Sequence, residues 1–177
     1  LAERLKKRAD YNDLFLKAYN SIPTPEFVTK AIASYERTLI SGNSRFDQYY
    51  YQNSISSISI SEKKGMDLFF NKFNCIHCHS GFNFSNGEVV NNGLYEKYKD
   101  IGKMRVTLDE NDRGSFKVPT LRNIEITGPY MHDGSLKTLE EVVDHYSKGG
   151  NNNYNKHELI KPFEISSSEK NDLISFL

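Results

Sequence analysis

The sequence predicts a mainly α fold with long irregular loops and an added N-terminal helical segment, and three observations carry that prediction. Helix-start signatures recur at both ends of the chain, at Thr24-Pro25-Glu26 and at Thr138-Leu139-Glu140-Glu141. Between Gly81 and Pro129 hydrophobic periodicity is lost, and glycines fall at 81, 87, 93, 102, 114 and 128 among Asn, Asp and Ser. Loops of that length inside one domain usually carry function. The two cysteines sit three apart, directly at the end of a helical pattern, as Cys75-Ile76-His77-Cys78-His79.

With 177 residues and 22 aromatic side chains, 11 Tyr and 11 Phe and no Trp, the chain can bury a core dominated by rings. Its 23 basic and 23 acidic residues cancel, which removes the electrostatic footprint of a nucleic-acid binder. No apolar run approaches the roughly 20 residues that a bilayer crossing needs. The chain starts at Leu1 and stops on the apolar Ile174-Ser175-Phe176-Leu177, so it is expected to be part of something longer, with any export signal outside it.

Taken in order, residues 1–19 read as helix through Leu5, Ala9, Leu14, Phe15 and Ala18, interrupted near Asp10-Tyr11-Asn12. A second helix starts at Thr24-Pro25-Glu26, carries Val28, Ile32, Tyr35 and Leu39, and is expected to end at Ser41-Gly42-Asn43. A short helix follows over 44–51, then a loop over 53–59, then a helix capped by Ser61 that runs almost directly into Cys75. After the irregular stretch, Thr138 and Glu141 form a capping box. The helix behind it places Leu139, Val142, Val143 and Tyr146 on one face before Gly149-Gly150. A last helix begins near Ser166 with Glu169 three residues on. The expected organisation is one domain over 1–177, with a helical lead-in over 1–60 and a cofactor-binding core over 61–177.

C-x-x-C-H is the attachment pattern of c-type haem: both thiols add to the vinyl groups and the adjacent histidine ligates the iron. Two cysteines on one helical turn share a face, and the following His can swing beneath the ring. Three alternatives compete with that reading of Cys75, Cys78 and His79. Structural zinc needs four tetrahedral ligands, and no second C-x-x-C or His pair accompanies the motif. A redox disulfide expects a preceding strand, where this sequence reads as helix. Two inert cysteines beside a coincidental histidine complete the set.

Longer blocks add a family resemblance. Ala33-Ser34-Tyr35-Glu36-Arg37-Thr38-Leu39, Asn43-Ser44-Arg45-Phe46-Asp47, the stretch from Gly65 to Phe70, Phe116-Lys117-Val118-Pro119-Thr120-Leu121-Arg122-Asn123, and Thr127-Gly128-Pro129-Tyr130-Met131-His132-Asp133-Gly134 appear in that order. Over roughly residues 11–177 the chain resembles the carboxy-terminal half of the bacterial di-haem cytochrome c peroxidase and MauG family. The resemblance implies a cytochrome c-like haem domain holding one haem c, on the electron-transfer side of an enzyme that reduces hydrogen peroxide or uses it to oxidise a substrate. The alternative is a mono-haem electron carrier without peroxidase activity. The implied partners are an amino-terminal haem domain of the same protein, where peroxide reacts, and a small redox protein or quinol-side electron donor. Covalent haem attachment implies a periplasmic or exported protein, and material made in a reducing cytoplasm would lack haem.

The resemblance also implies site residues. The family's sixth iron ligand lies fourteen residues past the His of His-Asp-Gly and is Met in the peroxidases but Tyr in MauG; counting from His132 reaches Tyr146. Without the resemblance, Tyr146 would read as a core residue. Met131 is the alternative ligand, though its neighbourhood suits packing. Arg122 and His132 are read either as partners of haem propionates or as structural hydrogen-bonding residues. Thr127 and Pro129 correspond to backbone carbonyls that hold a calcium ion between the family's haem domains. Met104 could reach a haem only if its loop folds over, and His77, His145 and His157 are expected at the surface.

Overall fold

A computed structural model describes all residues, 1–177, and its contacts divide the chain into two compact units, Leu1–Gly42 and Asn43–Leu177. The division thus falls before the short helix at 45–50, earlier than the boundary at 60 that the sequence suggests.

The first unit holds α1 (Ala2–Lys6), α2 (Ala9–Tyr19) and α3 (Pro25–Glu36) around Ala2, Phe15 and Val28. The expected break near Asp10-Tyr11-Asn12 lies instead at Lys7-Arg8, where Arg8 is extended. Asn12 acts across that break, donating from Nδ2 to the Lys6 carbonyl at 3.0 Å and so satisfying a carbonyl that the end of α1 leaves open. Thr24 caps α3 through the Phe27 amide, as its sequence implies. The helix stops at Glu36, short of Ser41-Gly42, because the Thr38 hydroxyl donates to the Tyr35 carbonyl at 2.7 Å and competes with the helical ladder.

In the second unit, α4 (Arg45–Tyr50) and α5 (Ile60–Asp67) each begin with a reciprocal capping box, Ser44 with Asp47 and Ser59 with Glu62. Ser59, not Ser61, is the cap of α5. Ser61 lies inside the helix and hydrogen-bonds Asp172. The next turn, Leu68–Lys72, is a π-helix closed by the Phe73 amide on the Leu68 carbonyl at 2.8 Å, so the chain does not run straight into Cys75. Asn74 then turns left-handed and the cysteines follow on a single 3-10 turn, Cys75–His77.

The irregular stretch contains one two-residue antiparallel pair, β1 (Val89–Val90) on β2 (Phe116–Lys117), with Val89 opposite Lys117. The four-residue α6 (Met104–Thr107) lies between them in sequence. α7 (Leu139–Ser147) and α8 (Ser167–Phe176) start at the capping boxes of Thr138 with Glu141 and Ser166 with Glu169. α8 lies hard against α5: a Cβ on Gly65 would meet the Asp172 carbonyl oxygen at 2.0 Å, so only glycine permits this approach. Leu68, Phe69, Val143 and Leu173 form the core of this unit, with Phe69 1% exposed, and Cys75, Ile76, Phe84 and Leu121 pack against it. Ring packing of Phe46 with Phe70, Phe84 and Phe176 extends it, as the aromatic-rich composition anticipates.

Candidate haem-binding site

The 3-10 turn puts both thiols on one side of the chain, and neither is in a disulfide. Burial pushes the Cys75 thiol up to about 11, and burial also raises Cys78. Both are therefore protonated, half-buried and poorly nucleophilic at neutral pH. No three His, Cys, Asp or Glu side chains converge as a metal cluster, so the four ligands of a structural zinc are not assembled here. The element before the motif is helix, not the strand a thioredoxin-like disulfide would follow.

His79 is held by its far nitrogen. Nδ1 lies 3.0 Å from the Phe84 carbonyl, and burial moves the imidazole pKa down, with the Phe84 and Pro119 carbonyls acting in the opposite sense. The neutral ring with Nδ1–H donating leaves the Nε2 lone pair free, which is the tautomer an axial iron ligand requires. The loop that supplies this carbonyl is braced from three places. The Thr120 hydroxyl donates to the Asn83 carbonyl at 2.6 Å, and Ser85 donates to the Val118 carbonyl at 2.7 Å. Arg122 donates from Nε to the Phe82 carbonyl at 2.9 Å and lies over the Phe82 ring at 4.1 Å.

Arg122 itself is anchored by Asp47 through two parallel hydrogen bonds of 2.6 and 2.8 Å, with both side chains only 5% exposed. This favours the structural hydrogen-bonding reading of Arg122 over the propionate one. Its guanidinium is paired with a buried carboxylate, and its Nε hydrogen bond ties down the loop behind His79. The same hydrogen bonds keep the Asp47 carboxyl below its ordinary range. His132 stands elsewhere, exposed and stacked on Phe116 with ring centroids 3.8 Å apart.

Three further segments meet at Asn92. Tyr146 projects its hydroxyl from α7, and burial raises its pKa. Met131 has a left-handed backbone, φ 71°, and brings its Sδ to the same place. Between them stands Asn92, whose Nδ2 is 3.2 Å from Tyr146 Oη and 3.3 Å from Met131 Sδ. Sequence reasoning misses Asn92, one amide in an Asn-rich loop with no periodicity to mark it. It also places His145 and His157 at the surface. His145 is half-buried with Nε2 3.1 Å from the Asn92 carbonyl, and the His157 amide donates to the Asn91 carbonyl at 2.9 Å. His77 is exposed, as expected. Met104, half-buried in α6, makes no hydrogen bond to these groups.

The donor set fits a covalently held haem: two free thiols on one turn, an imidazole with its far nitrogen tied to a carbonyl, and a half-buried phenol held by Asn92. Comparison with known proteins agrees. A family model described as di-haem cytochrome c peroxidase matches residues 1–54. The chain is 38% identical over its whole length to the methylamine utilization protein MauG of Methylorubrum extorquens and 36% identical over 85% of its length to the cytochrome c551 peroxidase of Nitrosomonas europaea. This chain belongs to the di-haem cytochrome c peroxidase and MauG family.

It spans about half of those relatives, 51% and 46% of their lengths, and matches their carboxy-terminal part. Among solved structures of the family, a MauG-like protein associated with microbial copper homeostasis superimposes with a TM-score of 0.77 at 32% identity, over 99% of this chain and 59% of that one. The diheme peroxidase BthA from Burkholderia thailandensis, at 18% identity and a TM-score of 0.59 over 76% of this chain and 45% of that one, shares the fold. The mainly α, cytochrome c-like architecture expected from the sequence is thus the family's.

Proposed function

We propose that this chain is the electron-transfer haem c domain of a periplasmic or exported di-haem peroxidase, which reduces hydrogen peroxide or uses it to oxidise a substrate in the manner of MauG. The observation that carries the proposal is the disposition of His79, which donates Nδ1–H to the Phe84 carbonyl and leaves Nε2 open beside two free thiols on one turn. Cys75 and Cys78 would hold the haem by thioether bonds, His79 would bind the iron, and Tyr146 would take the sixth position. When bound, the haem supplies a one-electron couple, which an oxygen-donor ligand poises lower than a thioether would. The chain's own residues orient that couple and exclude water. Phe69, Phe84 and Leu121 pack in the core together with Cys75, and the Asp47–Arg122 pair holds the loop whose carbonyl fixes the His79 ring.

His132 keeps the role of a propionate partner, supported by its exposure and by the absence of any hydrogen bond that would occupy its ring. The Thr127 and Pro129 carbonyls accept no hydrogen bond within the chain, which suits oxygen ligands of a calcium ion shared with a second haem domain. Peroxide would react at that other domain, and electrons would arrive from a small redox protein or a quinol-side donor.

The test is maturation in a host that attaches haem c in its periplasm, followed by mass measurement under denaturing conditions and a pyridine haemochrome assay. One haem that survives denaturation is expected; haem that dissociates, or none in exported protein, overturns the proposal. The haem-loaded chain alone should turn over peroxide poorly, since both axial positions are filled. Turnover matching that of a full-length two-haem protein would contradict the assignment to the electron-transfer side.

A further inference from the structure

The turn Asn91–Leu94 is built with more care than a loop needs. Asn91 is 1% exposed; its Oδ1 accepts the Gly93 amide at 2.8 Å and the Tyr98 hydroxyl at 2.9 Å, and its Nδ2 donates to Asn155 Oδ1 at 2.7 Å. Behind the turn, the segment following α7 holds it through the backbone. The Asn151 amide donates to the Gly93 carbonyl and Asn151 Nδ2 to the Leu94 carbonyl, each at 2.6 Å, while His145 from α7 engages the Asn92 carbonyl. Gly150 permits this approach: a Cβ there would lie 2.9 Å from the Asn92 oxygen.

These contacts fix the Asn92 side chain too. Its Oδ1 accepts the Leu94 amide at 3.2 Å, so the amide group cannot turn over, and Nδ2 faces inward. The two hydrogens on Nδ2 have two acceptors, Tyr146 Oη and Met131 Sδ. An amide so held is preorganised toward a phenol oxygen, the usual arrangement by which an outer partner orients a metal ligand.

We propose that Asn92 is the positioning residue of the sixth iron position: one amide hydrogen holds Tyr146 Oη in place for the metal while the other occupies Met131 Sδ and restrains the thioether from competing. The inference rests on the reading of Tyr146 as the sixth ligand. It assigns the choice between two candidate ligands to a residue that ligates nothing.

The test uses the full-length, haem-loaded protein. Asn92→Asp keeps the size and the oxygen that accepts the Leu94 amide but removes both donors. Its ferric spectrum should lose the low-spin, six-coordinate signal, with the ratio of six- to five-coordinate haem falling about tenfold, the scale of one hydrogen bond to a charged ligand. The midpoint potential of that haem should rise, since the ferric form is the one the phenolate stabilises. Asn151→Ala is the structural control, because it loosens the same turn without touching either ligand; it should lower the melting temperature and leave the potential and spectrum as they are. Tyr146→Phe separates the two levels of the argument. If Tyr146→Phe alters the spectrum and Asn92→Asp does not, the positioning role is wrong. If Asn151→Ala shifts the potential as much as Asn92→Asp, the effect belongs to the turn and the role is again wrong. A silent Tyr146→Phe overturns the ligand assignment and this inference with it.

Discussion

The two sides of the proposed haem site are built by different means. The proximal side, around His79, comes from one short run of sequence: the 3-10 turn, its two thiols and an imidazole tied to a carbonyl five residues on. The distal side, around Tyr146, gathers Asn92, Met131 and Tyr146 from segments up to 54 residues apart and joins them by side-chain hydrogen bonds. Covalent chemistry would fix the first, and the second depends on tertiary structure already being in place. The difference teaches that a motif can specify a cofactor's attachment while leaving its chemistry to be set from elsewhere.

The most severe way to break the proximal side is to remove its covalent chemistry. Replacing Cys75 and Cys78 together by Ser should abolish haem that survives denaturation, read by mass under denaturing conditions. The next largest effect should come from the brace behind His79. Asp47→Ala leaves Arg122 buried without its partner and should cost about 3–5 kcal/mol of stability, measured by denaturant unfolding. The pair also sets an acid limit. The folded-state pKa of Asp47 is held below its ordinary 3.8 by Arg122, so its contribution is full above that value and is lost as pH falls through the lower folded value. Asp47→Asn should therefore flatten the acid limb of a stability-against-pH curve below about pH 4; an unchanged limb would mean that the pair contributes nothing.

Distal changes should spare stability and move spectra. Tyr146→Phe is expected to convert low-spin ferric haem to high-spin, or to open the iron to cyanide, with only a small shift in melting temperature. Met131→Leu should leave the spectrum nearly as it was. The reverse result, with Met131→Leu opening the site, would make this a His/Met haem. The smallest expected effect is at the cap of the helix that carries Tyr146. Thr138→Ala removes a hydroxyl that accepts the Glu141 amide at 3.2 Å and should cost about 1 kcal/mol, without a spectral change.

The same division governs how much of the fold and the site is legible in the amino-acid sequence. Capping boxes at Thr138–Glu141 and Ser166–Glu169 and the C-x-x-C-H motif are complete within a few residues, and all three stand where the sequence puts them. Boundaries set by side chains reaching across a break are not legible in that way: the α1–α2 gap is bridged by Asn12, and the end of α3 is set by Thr38. The π turn at Leu68–Lys72 leaves no local mark, since its residues suit an α-helix equally well. Arg122 stands out within its motif, but its partner does not, because Asp47 lies 75 positions away. Asn92 is hidden for the same reason. Its meaning comes wholly from Tyr146, Met131 and Leu94, which the chain brings to it only on folding.

The acceptor for His79 Nδ1–H is a main-chain oxygen, that of Phe84. Every amino acid carries such an oxygen, so substitution at position 84 cannot delete it, and the basicity of the imidazole is insulated from point mutation as long as the loop keeps its course. The amide of Asn92 has no such protection, since a single base change in its codon can turn it into a carboxylate. The proximal side thus hangs on an atom that no substitution at position 84 removes, and the distal side on a single replaceable side chain.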